Sequence, residues 1–160
     1  MSLLKIILIV AAVIVVVFGV MMYVALSPSI RNASDKAALK YFLNKPLILK
    51  RSVFLYRCEG VESRFFEDVI SDLENQACQV MRTLPTGTVM RIEAFKTYKS
   101  AVSGFTNLFA LAEIEIEGKK VKVEYNWGST DLNQLAKTTP TLPRAVWQDE
   151  DEPLVIFTQD

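Results

Sequence analysis

Histidine is absent from all 160 residues of the sequence, and this absence excludes several familiar kinds of site. Hydrolases with a catalytic triad need a histidine base, and many zinc sites and physiological pH switches depend on imidazole. The glycine patterns that bind phosphates and dinucleotides are missing as well, and so is the nucleophile-elbow motif. We therefore expect neither a conventional catalytic constellation nor a cofactor or metal site, and we predict that the chain is not an enzyme.

Net charge is also absent, because 18 basic side chains balance 18 acidic ones. A general nucleic-acid-binding protein needs a basic excess to neutralise phosphates, so we expect no nucleic acid partner. The length supports one modest domain.

Cysteine occurs only at Cys58 and Cys78. Their wide separation excludes the closely spaced pairs of redox and zinc sites. Outside the cytoplasm such a pair indicates a disulfide, whereas inside it indicates two buried thiols. A disulfide between Cys58 and Cys78 is therefore a candidate that depends on the compartment.

One long apolar run is present, over residues 6–26, and it carries no charge. As a helix, its 21 residues would reach about 32 Å, enough to cross a hydrocarbon core of about 30 Å. The alternative is a cleaved signal peptide ending near Ser27, but the run exceeds the 7–15 apolar residues that are typical of one. We predict a single-pass signal anchor over residues 1–27, with residues 6–26 in contact with membrane lipid.

The basic residues on the two sides of the apolar run bear on which side of the membrane the domain lies. Lys5 and the terminal amine outweigh Arg31 close to the run, whereas a wider window of basic residues reverses the count. Taken with the cysteine pair, this favours an extracytoplasmic domain, periplasmic or extracellular, at the cell envelope.

The remaining chain indicates an α+β domain. We predict a juxtamembrane helix in residues 28–46, with Ser34 as its N-cap, and a soluble α+β domain over residues 47–160. Within that domain the patterns predict strands at residues 47–58, 89–98, 105–117, 120–127 and 154–158, a clear helix at 63–82 and a short helix at 131–137.

These elements suggest a small antiparallel sheet, or a partly closed barrel, with one packed helix. The segment Leu-Pro-Thr-Gly-Thr-Val that precedes the run of strands resembles SH3-like barrels. This resemblance concerns the fold alone and implies no function.

Three carboxylates alternate along one predicted strand at Glu113, Glu115 and Glu117. They could form a metal or acid–base site, but a hairpin turn at Gly118-Lys119 would place lysines opposite two of them. That register leaves Glu113 opposite Glu124 as a like-charged pair. We favour structural ion pairs over a metal site.

Charge is distributed unevenly behind the zero total. Residues 31–57 hold seven basic residues and one acid, whereas residues 149–160 hold five acids and no base. Anionic headgroups attract basic residues near the membrane, although these residues could also be solvated positions. The candidate headgroup contacts are Arg31, Lys36, Lys40 and Lys45.

Aromatic residues give a second candidate surface. Trp147 and Arg144 lie in an irregular segment, and Trp127 ends a predicted strand. Such residues anchor interfaces, although filling the core is the commoner fate of tryptophan. We therefore expect a membrane-anchored accessory or assembly protein with a protein partner. The alternatives are a membrane-attached enzyme that uses the strand carboxylates, or a module that binds a cell-envelope ligand.

Overall fold

The apolar run forms a single helix, α1, over Leu3–Leu26. This computed structural model of the protein describes residues 3–60, 63–130 and 141–157. Within α1, Lys5–Leu26 is long and apolar enough to cross a membrane, and none of it is buried against the rest of the chain. Length and composition of this kind fit a membrane anchor or a signal sequence. The helix ends where the Ser27 hydroxyl donates to the Tyr23 carbonyl at 2.7 Å.

Eight strands and one short helix follow in the described part of the chain. They are β1 Ser29–Asn32, α2 Ala37–Lys40, β2 Pro46–Ile48, β3 Val53–Arg57, β4 Asp68–Ser71, β5 Gln79–Leu84, β6 Val89–Lys99, β7 Thr106–Ile116 and β8 Lys119–Thr130. The strands form one sheet in the order β1-β6-β7-β8-β4-β3-β5, and β2 also pairs with β6. The long apolar helix and the large sheet together fit the predicted α+β class.

The pairing departs from the predicted sheet in two respects. The β4–β8 pair is parallel, whereas the other strand pairs are antiparallel. In the described residues the hydrogen-bonded order runs from β1 to β5 without joining its ends. The pairing therefore gives no support to a closed barrel or to an SH3-like arrangement.

Strands β6, β7 and β8 form the predicted antiparallel meander, but the β7–β8 turn lies one residue earlier than expected. Glu117 and Gly118 have φ of 53° and 75°, and Ile116 pairs with Lys119. Two central residues with positive φ suit a tight hairpin whose twist matches that of the strands. Moving the turn by one residue shifts the pairing by two, so each side chain keeps its face.

The predicted helix at residues 63–82 is wrong. These residues contain β4 and β5, which flank β3 on either side. The apolar residues of this segment match helical spacing, but Ile70 pairs with Leu55 on one side and with Tyr125 on the other. Sheet pairing with distant residues therefore overrides the local pattern.

The juxtamembrane helix predicted for residues 28–46 is also wrong over most of its length, because only Ala37–Lys40 is helical. Ser34, the expected N-cap, instead accepts a hydrogen bond from the Phe95 amide at 2.9 Å. Ala33 donates to the Phe95 carbonyl, and Asn44 donates to the Ile92 carbonyl. The segment therefore lies along the edge of β6 and belongs to the sheet domain.

Smaller differences lie at both ends of the soluble domain. The strand predicted at 47–58 is divided into β2 and β3. Of the strand predicted at 154–158, the described residues 154–157 form a single bridge, between Ile156 and Thr141. The helix predicted at 131–137 lies outside the described residues. The core beneath the sheet contains an aromatic cluster in which Trp127 contacts Phe42, Phe95 and Trp147.

Candidate functional site

One end of the sheet is fixed to the apolar helix by a very short connection. Helix α1 ends at Leu26 and β1 begins at Ser29, so their Cα atoms are at most about 11 Å apart. Because β6 is antiparallel to β1, its last residue, Lys99, pairs with Ser29. Lys99 also pairs with Thr106, the first residue of β7. We call this end of the sheet the anchor end.

A cleft of 180 Å³ opens at the anchor end. Its lining is rich in hydrogen-bonding side chains and cations, and no acidic residue lines it among residues 3–60, 63–130 and 141–157. The lining residues are Ser29, Arg31, Asn32, Ala33, Lys36, Thr97, Lys99, Thr106 and Phe157. We call it the basic cleft.

Strand pairing accounts for the concentration of positive charge. Ser29 pairs with Lys99 and Arg31 pairs with Thr97, so Arg31 and Lys99 are diagonal neighbours on one face of the sheet. Diagonal residues of an antiparallel pair are about 7–8 Å apart, and their Cβ atoms are somewhat closer. Two like charges at this distance repel each other, and an anion between them would remove that cost. The chemistry of the cleft thus suits a phosphate or carboxylate group.

The predicted headgroup residues do not all meet at this site. Arg31 and Lys36 line the basic cleft, whereas Lys40 ends α2 and does not. Lys45 places its Nζ 3.7 Å from the centre of the Tyr41 ring. It precedes β2, which pairs with the beginning of β6, far from Lys99. Sequence reasoning missed Lys99, because its position depends on a β1–β6 pairing that the sequence did not predict.

Acidic residues concentrate at the opposite end. Lys50 forms an ion pair with Asp149 at 2.7 Å, and its neighbour Leu49 donates to the Thr88 carbonyl beside the start of β6. The Asp149 hydrogen bond and charge raise the pKa of the exposed Lys50 ammonium. The run Asp149 to Glu152 therefore begins at the end of the sheet that is remote from α1.

The three residues of the predicted interaction surface differ in exposure. Trp147 and Trp127 are buried, so their rings present no docking surface. Trp127 donates its indole Nε1–H to the Pro143 carbonyl at 2.8 Å, whereas the Trp147 Nε1–H has no hydrogen-bond partner in the described chain. Arg144 remains exposed and donates to the Glu152 carbonyl at 3.4 Å.

Arg144 lines a second cleft, of 440 Å³, together with Asp72, Tyr125 and part of Trp127. Asp72 forms an ion pair with Arg51 at 3.3 Å, and Arg51 also donates to the Arg144 carbonyl at 2.7 Å. Burial raises the pKa of the Tyr125 phenol to about 12, and the Asp72 charge acts in the same direction. The phenol is therefore neutral at ordinary pH and suits hydrogen bonding rather than proton abstraction.

The strand carboxylates are held in structural contacts. Glu113 lies opposite Lys122 rather than Glu124, and it forms an ion pair with Lys120 at 2.7 Å. Glu117 pairs with Arg82 at 2.8 Å. Among the described residues, no group of three or more acidic or cysteine side chains is placed to hold a metal ion.

Cys58 and Cys78 are joined by a disulfide, with their Cα atoms 4.7 Å apart. The bond links the residue after β3 to the residue before β5, next to the Arg57–Gln79 pair of these two strands. Cys78 thus lies just before a strand rather than late in a helix. Comparisons with protein-family models, with curated proteins and with solved structures find no match to this chain.

Proposed function

We propose that this protein is a single-pass, membrane-anchored accessory protein that presents a small, non-catalytic binding domain at the bilayer surface. The observation that carries the proposal is the position of the basic cleft, at the end of the sheet that follows α1 within about 11 Å. The polar layer on each side of a bilayer is about 5–7 Å thick, so a retained α1 brings the cleft to the headgroups.

The first ligand we propose for the domain is the phosphate of an anionic lipid. Arg31 and Lys99 supply the charge, and Ser29 and Thr97 add hydroxyl groups at the same cleft. The acidic run that begins at Asp149 lies at the other end of the sheet, where an anionic surface would repel it least. The position of the charges and the short connection to α1 therefore both favour an orientation in which the basic cleft faces the membrane.

Lipid retention tests this part of the proposal. The full chain is purified in mild detergent, and bound anionic phospholipid is measured by mass spectrometry. We expect the Arg31→Gln, Lys99→Gln double variant to retain severalfold less lipid than the Lys40→Gln, Lys45→Gln control, which removes equal charge outside the cleft. Equal retention by the two variants would reject the headgroup site, and loss to added inorganic phosphate would indicate a free-anion site.

We further propose that a protein partner contacts the cleft that Arg144 lines. Asp72 and Arg144 offer opposite charges there, and the buried Tyr125 adds a neutral hydroxyl. The same cleft is where a cell-envelope ligand would bind under the alternative hypothesis. The ion pairs of Glu113 and Glu117 favour binding over the enzyme alternative, because those carboxylates serve the sheet.

Site-specific photo-cross-linking separates these alternatives. A photoreactive amino acid replaces Arg144 in the membrane-embedded chain, and Lys119, at the exposed β7–β8 turn, is the control position. We expect one discrete protein adduct from position 144 and none from position 119. A chain that gives no adduct from position 144 would count against a protein partner.

A further inference from the structure

We propose that the loop between β6 and β7, residues 100–105, is a second membrane contact whose apolar tip enters the bilayer interface beside α1. The inference rests on the proposed function, because it requires α1 to be a retained span. The loop connects Lys99 to Thr106, which are paired residues at the anchor end. It is called the anchor-end loop below.

The direction of the strands places this loop beyond the sheet on the side from which α1 arrives. Strand β1 runs away from its tether at Ser29, and β6 returns to the same level at Lys99. The loop continues past that level, and its Val102 Cα lies at most about 11 Å from that of Lys99. The tip and the end of α1 are therefore both joined by short segments of chain to the paired residues Ser29 and Lys99.

The composition of the loop suits an interface between water and lipid. Residues 100–105 carry no charge, and Val102 is 84% exposed. Phe105 is 42% exposed at the base of the loop. Apolar side chains that project into water without a partner are typical of surfaces that meet a membrane or a protein.

Hydrogen bonds within the loop lower the cost of leaving water. The Ser100 amide donates to the Phe105 carbonyl at 2.9 Å, and the Gly104 amide donates to the Ser100 carbonyl at 3.0 Å. The Ser103 amide donates to the Ser100 hydroxyl at 3.2 Å. Because unpaired amides are costly in an apolar medium, pairing these three amides within the loop lowers the cost of insertion.

The cationic residues next to the loop favour a lipid bilayer as the surface that its tip contacts. Lys99 stands at the base of the loop beside Arg31, and the Arg64 guanidinium lies 4.6 Å from the centre of the Tyr98 ring on the other face. Long cationic side chains around an apolar tip can reach phosphates while the tip enters the acyl boundary. The tether holds all of these groups close to the end of the span.

Depth-dependent quenching tests the inference in the full chain, reconstituted in vesicles that contain anionic lipid with brominated acyl chains. Val102→Trp is the probe, and Val89→Trp is the matched control, because Val89 is 52% exposed and lies at the other end of β6, about 34 Å from Lys99. The unsubstituted chain supplies the background of Trp127 and Trp147. We expect at least twofold stronger quenching, and a blue-shifted emission, for Val102→Trp.

The outcomes separate this inference from the proposed function. Equal and weak quenching at both positions, in protein that floats with the vesicles and resists alkaline extraction, would overturn the loop contact while leaving the anchor intact. Protein that does not float would overturn both. Near-ultraviolet circular dichroism checks folding, and Phe105→Trp replaces the probe if Val102→Trp is misfolded.

Discussion

Glu124 is a buried carboxylate that attaches a separate segment of chain to the sheet. It is 1% exposed, and its two oxygens accept the amides of Arg64, Phe65 and Phe66 at 2.9, 2.6 and 2.9 Å. The Phe65 ring then packs edge-on against Phe109, at 5.4 Å between ring centres. The sequence suggested only a like-charged neighbour for Glu113, because residues 64–66 were predicted to lie in a helix rather than in a loop beside β8.

Removing this acceptor should destabilise the chain. We expect Glu124→Ala to lower the free energy of unfolding by about 3 kcal/mol, because charge-assisted bonds to amides that are otherwise unpaired are lost. The control, Glu115→Gln, changes an exposed carboxylate on the same hairpin and should stay within about 0.5 kcal/mol. Urea unfolding of the detergent-solubilised chain measures both, and equal effects would contradict the account.

Tyr125 gives a prediction about alkaline pH. Burial raises its pKa to about 12, above the ordinary value of about 10, so the folded chain holds the phenol proton more tightly than the unfolded chain. The resulting stability is fully present below pH 10 and is lost as the pH rises towards 12, by about 2–3 kcal/mol in total.

The difference between the unsubstituted chain and Tyr125→Phe isolates this contribution, because other alkaline titrations cancel. We expect the stability advantage of tyrosine over phenylalanine to shrink between pH 10 and 12 in urea unfolding curves. An advantage that does not change over this interval would show that the phenol titrates normally.

At the scale of elements, the sequence predicted correctly those strands that pair with their neighbours in the chain. Strands β6, β7 and β8 are local, and their alternation and glycine-bounded turns indicated them from sequence alone. Strand β1 pairs with the distant β6, and β4 pairs on one side with the distant β8, so residues 28–46 and 63–82 misleadingly indicated helices. The same applies to the basic cleft. Arg31 and Lys36 were predicted from the sequence, whereas Lys99 could be placed there only from the pairing of β1 with β6.

The Cys58–Cys78 disulfide closes the segment of chain that runs from the end of β3 through β4 to the start of β5. Cross-linking a loop of this size should restrict the unfolded chain and contribute about 3 kcal/mol to stability. We expect the Cys58→Ala, Cys78→Ala double variant to lose roughly that amount in urea unfolding. A loss no larger than that of the exposed control Glu115→Gln would contradict a stabilising role.

At the scale of the whole molecule, a basic cleft lies at one end of the sheet and an acidic run begins at the other. Arg31 and Lys99 lie at the anchor end, whereas Asp149 lies near the start of β6 at the other. The tether, the basic cleft and the anchor-end loop occupy the same end. The proposals for lipid and loop depend on one condition, which is that α1 remains attached to the domain.

The most direct test of that condition is the non-reducing intact mass and N-terminal sequence of the protein isolated from its native membranes. We predict a chain that retains residues 6–26 and whose mass is two hydrogens lower than that of the dithiol form. A mature chain that begins near Pro28 would contradict the anchor, and with it the proposed function and the loop contact.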